Sequence, residues 1–321
     1  MAVTVVVTDY EYADIAWERR IVEEAGFRLV ACQLRREEEL IPAVADADGL
    51  IIQYADVNAN VIASLSRCKI MVRYGIGYDN IDVAAATRRG ILVSNVPDYG
   101  IDEVSNHAIA MILSLARKLP LIREKLRSGV WGYEPAAPVT RFEGATVGLL
   151  GLGRIARSVA RKLSGFGVRL IAHDPFVQEN AASGVELVSF ATLCRESDYL
   201  SLHCPLTGET RHKLNREAFR LMKPTAVLIN TARGGLVCQE DLIDALRRGA
   251  LAGAGVDVYE KEPLERDSPL LRMENVIATP HFAWYSEQAI TSLQRKAAEE
   301  AVRVLSGQTQ RYPCNPELLQ A

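Results

Sequence analysis

The sequence contains no run of Lys or Arg longer than two, and its 37 basic and 40 acidic residues leave a formal net charge of only −3. The basic footprint of a nucleic-acid binder is missing, so no nucleic-acid partner is expected. No apolar stretch approaches the roughly 18 residues that a membrane span needs. The opening MAVTVVVTDY runs straight into an apolar strand pattern, without the basic region and cleavage site of a leader. A cytoplasmic location without a membrane partner is the expectation. The six cysteines (Cys32, Cys68, Cys194, Cys204, Cys238, Cys314) include no CxxC pair, so neither a metal site nor a redox couple is predicted and the thiols are read as reduced packing residues. Low-complexity segments and solenoid-length repeats are absent as well.

What is present is a chain of 321 residues, 49% hydrophobic and 24% charged, long enough for two domains with a cleft between them. Short apolar runs alternate with amphipathic helical stretches, the pattern of parallel sheets covered by helices on both faces. A first series holds TVVVT (4–8), GLIIQ (49–53), KIMVRYG (69–75) and ILVSN (91–95). A second holds ATVGLLG (145–151), VRLIAHD (168–174), YLSLHC (199–204), AVLIN (226–230), AGVDV (254–258) and NVIATP (275–280). Between them a helical pattern starts near Asp102, carries Ile109, Ile112, Leu113 and Leu115, and is predicted to end near Pro120. A further helix, from Ser286 to about Leu305, can return to pack on the first domain. The predicted fold class is therefore α/β, with two Rossmann-like or flavodoxin-like doubly wound parallel sheets. One domain comprises residues 1–100 plus 285–321 and the other 101–284.

The strand ATVGLLG runs into GLGRIA, placing Gly151, Gly153 and Ala156 in a G-x-G-x-x-A pattern at a strand-to-helix turn, with Arg154 and Ile155 opening the helix. The first glycine permits the turn, the second lets a pyrophosphate approach the backbone, and the small third residue lets helix and strand pack closely. Twenty-three positions on, the next strand ends at Asp174. A carboxylate there can accept from both ribose hydroxyls of NAD and would repel the 2′-phosphate of NADP. Residues 101–284 are thus read as an NAD-binding domain and the remainder as the substrate domain.

Three more segments end strands of the second series: NTARGG (230–235), DVYEKEP (257–263) and TPHFAWYS (279–286). They supply Arg233, Glu262 and His281, a coherent set for reducing a 2-oxo acid. His281 can give the proton to the carbonyl oxygen, Arg233 can bind the carboxylate and polarise the carbonyl, and Glu262 can orient the imidazole and favour its protonated form.

At this point the whole chain resembles the D-isomer-specific 2-hydroxyacid dehydrogenase family. RYGIGYDNID (73–82), NVPDYG (95–100), GLGRIA, HDP, HCPLT (203–207), NTARGG, DVYEKEP and TPH stand in the family's order. TARGGLV followed by HFAWYSEQA (281–289) is most similar to the C-terminal-binding-protein branch and its bacterial relatives, where a Trp follows three residues after the catalytic His. The resemblance implies an NAD-dependent enzyme acting on CH–OH donors, with Arg233, Glu262 and His281 as the catalytic residues. It places Asp257 at the nicotinamide carboxamide, Thr231 and Ala232 beside the ring, and Cys204 and Pro205 along the cofactor. Ile76 lies in the loop Tyr74-Gly75-Ile76-Gly77, whose backbone N–H groups would bind the substrate carboxylate, with Arg73 as an added cation. Trp284 would wall the substrate pocket or else pack into the core.

The resemblance leaves two function classes open. One is a dehydrogenase of a small 2-hydroxy or 2-oxo acid, with 3-phosphoglycerate dehydrogenase and glyoxylate or hydroxypyruvate reductase as alternative enzyme labels. The other is an NAD(H)-sensing co-repressor-like binding protein on the same fold. Co-repressors of that branch carry extended disordered tails, whereas this sequence stops at PELLQA, so the enzyme is the expectation. A homodimer through the nucleotide-binding domain is implied too, and Trp131 and Tyr133 either cover the cleft or meet a second subunit.

Overall fold

The computed structural model describes residues 2–178 and 184–319, so the outermost residues of MAVTVVVTDY and PELLQA lie outside it. The chain divides into two compact units, one made of the residues up to Gly100 together with those from Tyr285 onward, the other spanning Ile101–Trp284.

In the first unit, β1 (Thr4–Val7), β2 (Arg28–Ala31), β3 (Gly49–Ile52), β4 (Ile70–Arg73) and β5 (Leu92–Ser94) form a parallel sheet in the order β2-β1-β3-β4-β5. The helices α1 (Ala16–Glu24), α2 (Glu37–Val44), α3 (Ala59–Ser64) and α4 (Val83–Arg88) connect successive strands. Both short helices start on a side-chain cap, Asn58 accepting from the N–H groups of Asn60 and Val61, and Asp82 from that of Ala85. Every residue of β3 is buried, as a central parallel strand covered on both faces requires.

The second unit opens with α5 (Ile101–Ala116) and α6 (Leu119–Arg127). The helical pattern thus ends earlier than the sequence predicts. Lys118 takes a left-handed conformation that breaks the helix, and Pro120 stands in the first turn of the next one, where its missing N–H costs nothing. A seven-stranded parallel sheet follows, built from β6 (Thr146–Leu150), β7 (Arg169–His173), β8 (Val185–Leu187), β9 (Tyr199–Leu202), β10 (Val227–Asn230), β11 (Gly253–Val256) and β12 (Val276–Ala278). Their order is β12-β11-β10-β9-β6-β7-β8, and the helices between them are α7 (Arg154–Leu163), α8 (Phe190–Glu196), α9 (Arg216–Leu221) and α10 (Gln239–Arg247).

Consecutive strand residues point to opposite faces, and each face of this sheet has its own core. Leu149 and Ile229 pack with Met111 and Ile112 of α5 and Val159 and Leu163 of α7. Their neighbours Leu150 and Leu228 pack with Leu193 of α8, Phe219 of α9 and Leu246 of α10. The chain then returns to the first unit as α11 (Glu287–Leu305), capped by Ser286 accepting from the N–H of Ala289, and lies on β3, β4 and α1. No described helix is long and apolar enough to cross a membrane.

Two short strands have no counterpart among the apolar runs of the sequence. They are β2 and β8, both at sheet edges and both partly exposed, where one-sided burial removes the continuous hydrophobic signal.

Candidate functional site

In the seven-stranded sheet the topology reverses between β6 and β9, and ligands of open α/β sheets bind outside the carboxyl ends of the strands at such a point. Gly151 follows β6 at φ +87°, and a Cβ there would stand 2.8 Å from the backbone N of Cys204, which follows β9. Only glycine allows the two strand ends to approach so closely. Gly153 is the N-cap of α7 and makes no side-chain cap, so the first amides of the helix, at Arg154 and Ile155, are not bridged by a capping side chain. Apart from its chain neighbours and the helix's own backbone, no atom of the described residues lies within 4 Å of the point where a Gly153 Cβ would stand. Ala156, the small third position, is fully buried.

Asp174 follows β7. Its Oδ2 accepts the N–H of Leu152 at 2.8 Å and its Oδ1 that of Phe176 at 2.9 Å, which leaves one acceptor position on each oxygen. Cys204 and Pro205 lie after β9, and burial pushes the Cys204 thiol up to about 11, keeping it a neutral wall. Its neighbour His203 is driven down to about 4 by burial and meets Ser201 Oγ at 2.9 Å, so it is uncharged at neutral pH and unsuited to donating a proton.

The turn after β10 is tied by Asn230, which donates to the carbonyl of Arg233 at 2.9 Å and accepts the N–H of Ala232 at 3.1 Å. Thr231 is 8% exposed, and its hydroxyl has no hydrogen-bond partner among the described residues. A buried polar atom of this kind asks for a ligand or an ordered water. With the open helix start, the close-packed Gly151 and the two acceptor positions on Asp174, it makes this edge of the sheet fit a dinucleotide. Arg233 Nη1 donates to the carbonyl of Ala232 at 2.8 Å.

His281 Nδ1 lies 2.7 Å from Glu262 Oε2, while Glu262 Oε1 accepts the N–H of Tyr259 at 3.0 Å. Burial alone would raise the Glu262 carboxyl, but the hydrogen bond and charge of His281, the Tyr259 amide and the Arg233 guanidinium together hold it below the usual carboxylate range. A proton held at Nδ1 by this carboxylate leaves Nε2 as the nitrogen for exchange with a substrate. His281 itself has φ +53°, a left-handed conformation uncommon outside glycine, and its N–H is held by the carbonyls of Asp257 at 2.8 Å and Thr279 at 3.1 Å.

Asp257 has no exposed surface. Its Oδ1 accepts from the hydroxyl of Thr279 at 2.5 Å and the N–H of Phe282 at 2.8 Å, and its Oδ2 accepts the N–H of Ala283 at 2.9 Å. One acceptor position, on Oδ2, remains. Trp284 is half-buried.

The loop Tyr74–Gly77 belongs to the first unit and follows β4. The Tyr74 side chain is buried and donates to Glu18 Oε1 at 2.6 Å, and its N–H donates to the carbonyl of Ile52 at 2.8 Å. Both donors of Tyr74 are thus committed within the core, something the linear motif does not disclose. Asn95 donates to the carbonyl of Ile76 at 2.6 Å and the N–H of Val96 to that of Gly75 at 2.9 Å, so the NVPDYG segment braces the loop. Gly75 stands at φ +130°, and a Cβ would lie 1.7 Å from Arg73 Nη1. The arginine therefore lies directly over the glycine, a contact no other residue would allow.

Known proteins resemble this chain in sequence and in fold. A sequence profile described as D-isomer specific 2-hydroxyacid dehydrogenase, NAD binding domain, matches residues 109–283. The chain is 38% identical over 310 residues to a D-3-phosphoglycerate dehydrogenase of Methanocaldococcus jannaschii, covering 95% of this chain and 58% of that protein. It is 38% identical over 286 residues to a glyoxylate reductase of Korarchaeum cryptofilum, covering 87% and 86%. The chain thus spans little more than half of the first relative and most of the second. The D-lactate dehydrogenase of Aquifex aeolicus, solved with NAD and lactic acid, superposes with a TM-score of 0.87 at 28% identity, over 94% of this chain and 96% of that one. The chain belongs to the D-isomer specific 2-hydroxyacid dehydrogenase family and carries its NAD binding domain.

Proposed function

We propose that the protein interconverts a small 2-oxo acid and its D-2-hydroxy acid, with NAD as cofactor. The observation that carries this reading is the His281–Glu262 pair at 2.7 Å, set at the same sheet edge as the dinucleotide site. The cofactor, when bound, supplies or accepts the hydride at C2. His281 gives the carbonyl oxygen its proton from Nε2, and Glu262 holds the imidazole by Nδ1. Arg233 polarises the carbonyl and pairs with the carboxylate, a charge-assisted contact suited to the planar guanidinium.

Gly151, Gly153, Arg154 and Ile155 are the proposed pyrophosphate contacts. Asp174 would take the ribose, Cys204 and Pro205 would flank the cofactor, Thr231 and Ala232 would meet the nicotinamide, and the remaining acceptor position of Asp257 would receive its carboxamide. In the first unit, the N–H groups of Gly75, Ile76 and Gly77 together with Arg73 are the proposed carboxylate contacts. The committed donors of Tyr74 restrict that residue to shaping the loop. Trp284 is proposed to wall the substrate's apolar tail, in keeping with the C-terminal-binding-protein-like branch.

Leu126, Val130, Trp131 and Tyr133 are exposed on one short stretch of the second unit, Trp131 by 89%, and support a homodimer. The free thiols fit a cytoplasmic location. Oxidation of NADH with a panel of 2-oxo acids, run beside a peptide pull-down, tests the activity. Turnover supports the enzyme, whereas peptide capture without turnover favours the binding protein.

A further inference from the structure

His107 lies on α5, outside the motifs quoted above, and its side chain is 17% exposed. Its Nε2 stands 3.1 Å from the hydroxyl of Thr279 and 3.9 Å from Asp257 Oδ1, and its ring meets the Phe282 ring edge-on with centroids 5.9 Å apart. Thr279 precedes His281 by two residues and Phe282 follows it by one, so a single imidazole touches both sides of the turn that presents the proposed proton donor.

The protons in this chain of contacts have one consistent arrangement. A carboxylate oxygen only accepts, so the single hydroxyl proton of Thr279 is committed to Asp257 Oδ1. The threonine oxygen can then only accept from His107, and His107 must carry its proton on Nε2. The relay runs His107 Nε2–H to Thr279 O–H to Asp257, and Asp257 in turn accepts the N–H groups of Phe282 and Ala283. These bonds brace a turn whose central residue is held at φ +53°, a strained conformation for a non-glycine residue.

We infer that His107 is a positioning residue for the reaction. Its Nε2–H, acting through Thr279 and Asp257, fixes the backbone that aims His281. The inference rests on the proposed role of His281, but the bonds on which it stands are those of the protein without substrate.

Two substitutions separate the ring from its proton. His107→Phe keeps an aromatic ring against Phe282 and removes the donor, while His107→Gln places an amide N–H near the position of Nε2. We expect His107→Phe to lower kcat by ~10–100-fold, the scale of a small misplacement of a catalytic group, with KM and the Kd for NADH changing far less. His107→Gln should recover most of that loss. Histidine 15N NMR of the full chain, which has five histidines, reads the relay without substrate. His107 should be the Nε2–H tautomer, and the His281 ring resonances should move in His107→Phe and return in His107→Gln. An Nδ1–H tautomer at His107, or a His107→Phe protein with wild-type kcat and unmoved His281 resonances, overturns the inference. A wild-type protein inactive on every 2-oxo acid sinks the proposed activity instead, and the NMR result then decides the positioning role by itself.

Discussion

At the scale of the residue, the site rests on a few acceptors whose capacity is nearly used. Asp174 is the simplest case, with one acceptor position left on each oxygen for a ribose hydroxyl. Asp174→Ala should raise the Kd for NAD roughly 10–100-fold, the worth of hydrogen bonds to a charged group, and should weaken NADP less. Titration of both cofactors checks this, and a wild-type protein using NADPH as well as NADH would contradict it. The sign for Glu262 follows from its lowered carboxyl. The carboxylate therefore stays charged, and able to hold His281 Nδ1, below the pH at which an ordinary carboxyl takes up a proton. Wild-type turnover should fall on the acid side only as the pH passes through that lowered value, whereas Glu262→Gln, which cannot titrate, should lower kcat at every pH; an unchanged kcat would separate Glu262 from the proton donor. Strand-end placement and the resemblance together make Arg233, Glu262, His281 and Asp174 candidates in the sequence, and the structure sets Glu262 against His281. The commitment of Tyr74 to Glu18 and Ile52, and of Asp257 to residues 279–283, is not legible, because it depends on contacts between segments that no local pattern encodes.

At the scale of the element, the central strands were readable as apolar runs because both of their faces are covered. The edges β2 and β8 were not. The break between α5 and α6 departs from the sequence pattern for a related reason, since Pro120 looks like a stop signal in a linear pattern and serves as a start signal once Lys118 has turned the chain. His107 lies in the same helix, where an imidazole on an otherwise apolar pattern gives no sign of what faces it. Capping offers a direct test of an element's contribution. Ser286 caps α11, the helix that returns the chain to its first unit, and Ser286→Ala should cost about 1 kcal/mol of stability, read as a lower urea midpoint. An unchanged midpoint would mean that the cap contributes nothing. Trp284, just before that helix, should favour unbranched or thioether-bearing 2-oxo acids over glyoxylate by a graded ~1–3 kcal/mol in kcat/KM. Trp284→Ala should narrow that difference while sparing glyoxylate turnover, and an even loss across the panel together with a lower Tm would assign the indole to packing.

At the scale of the whole molecule, each unit is a doubly wound parallel sheet, and the family's NAD binding domain accounts for residues 109–283. The exposed apolar stretch from Leu126 to Tyr133 should be covered by a second copy of the chain. Light scattering should give a dimer, and Trp131→Arg should shift it toward monomer. The central claim is that His281, held by Glu262, protonates a 2-oxo acid as hydride reaches C2. The most direct measurement is NADH oxidation by the wild type and by His281→Ala with the same 2-oxo acid, with the hydroxy acid product resolved by chirality and NADH binding measured in parallel. The wild type should yield the D enantiomer, and His281→Ala should lose ~10²–10⁴-fold in kcat while binding NADH as before. Undiminished turnover in His281→Ala, or an L product from the wild type, would contradict it.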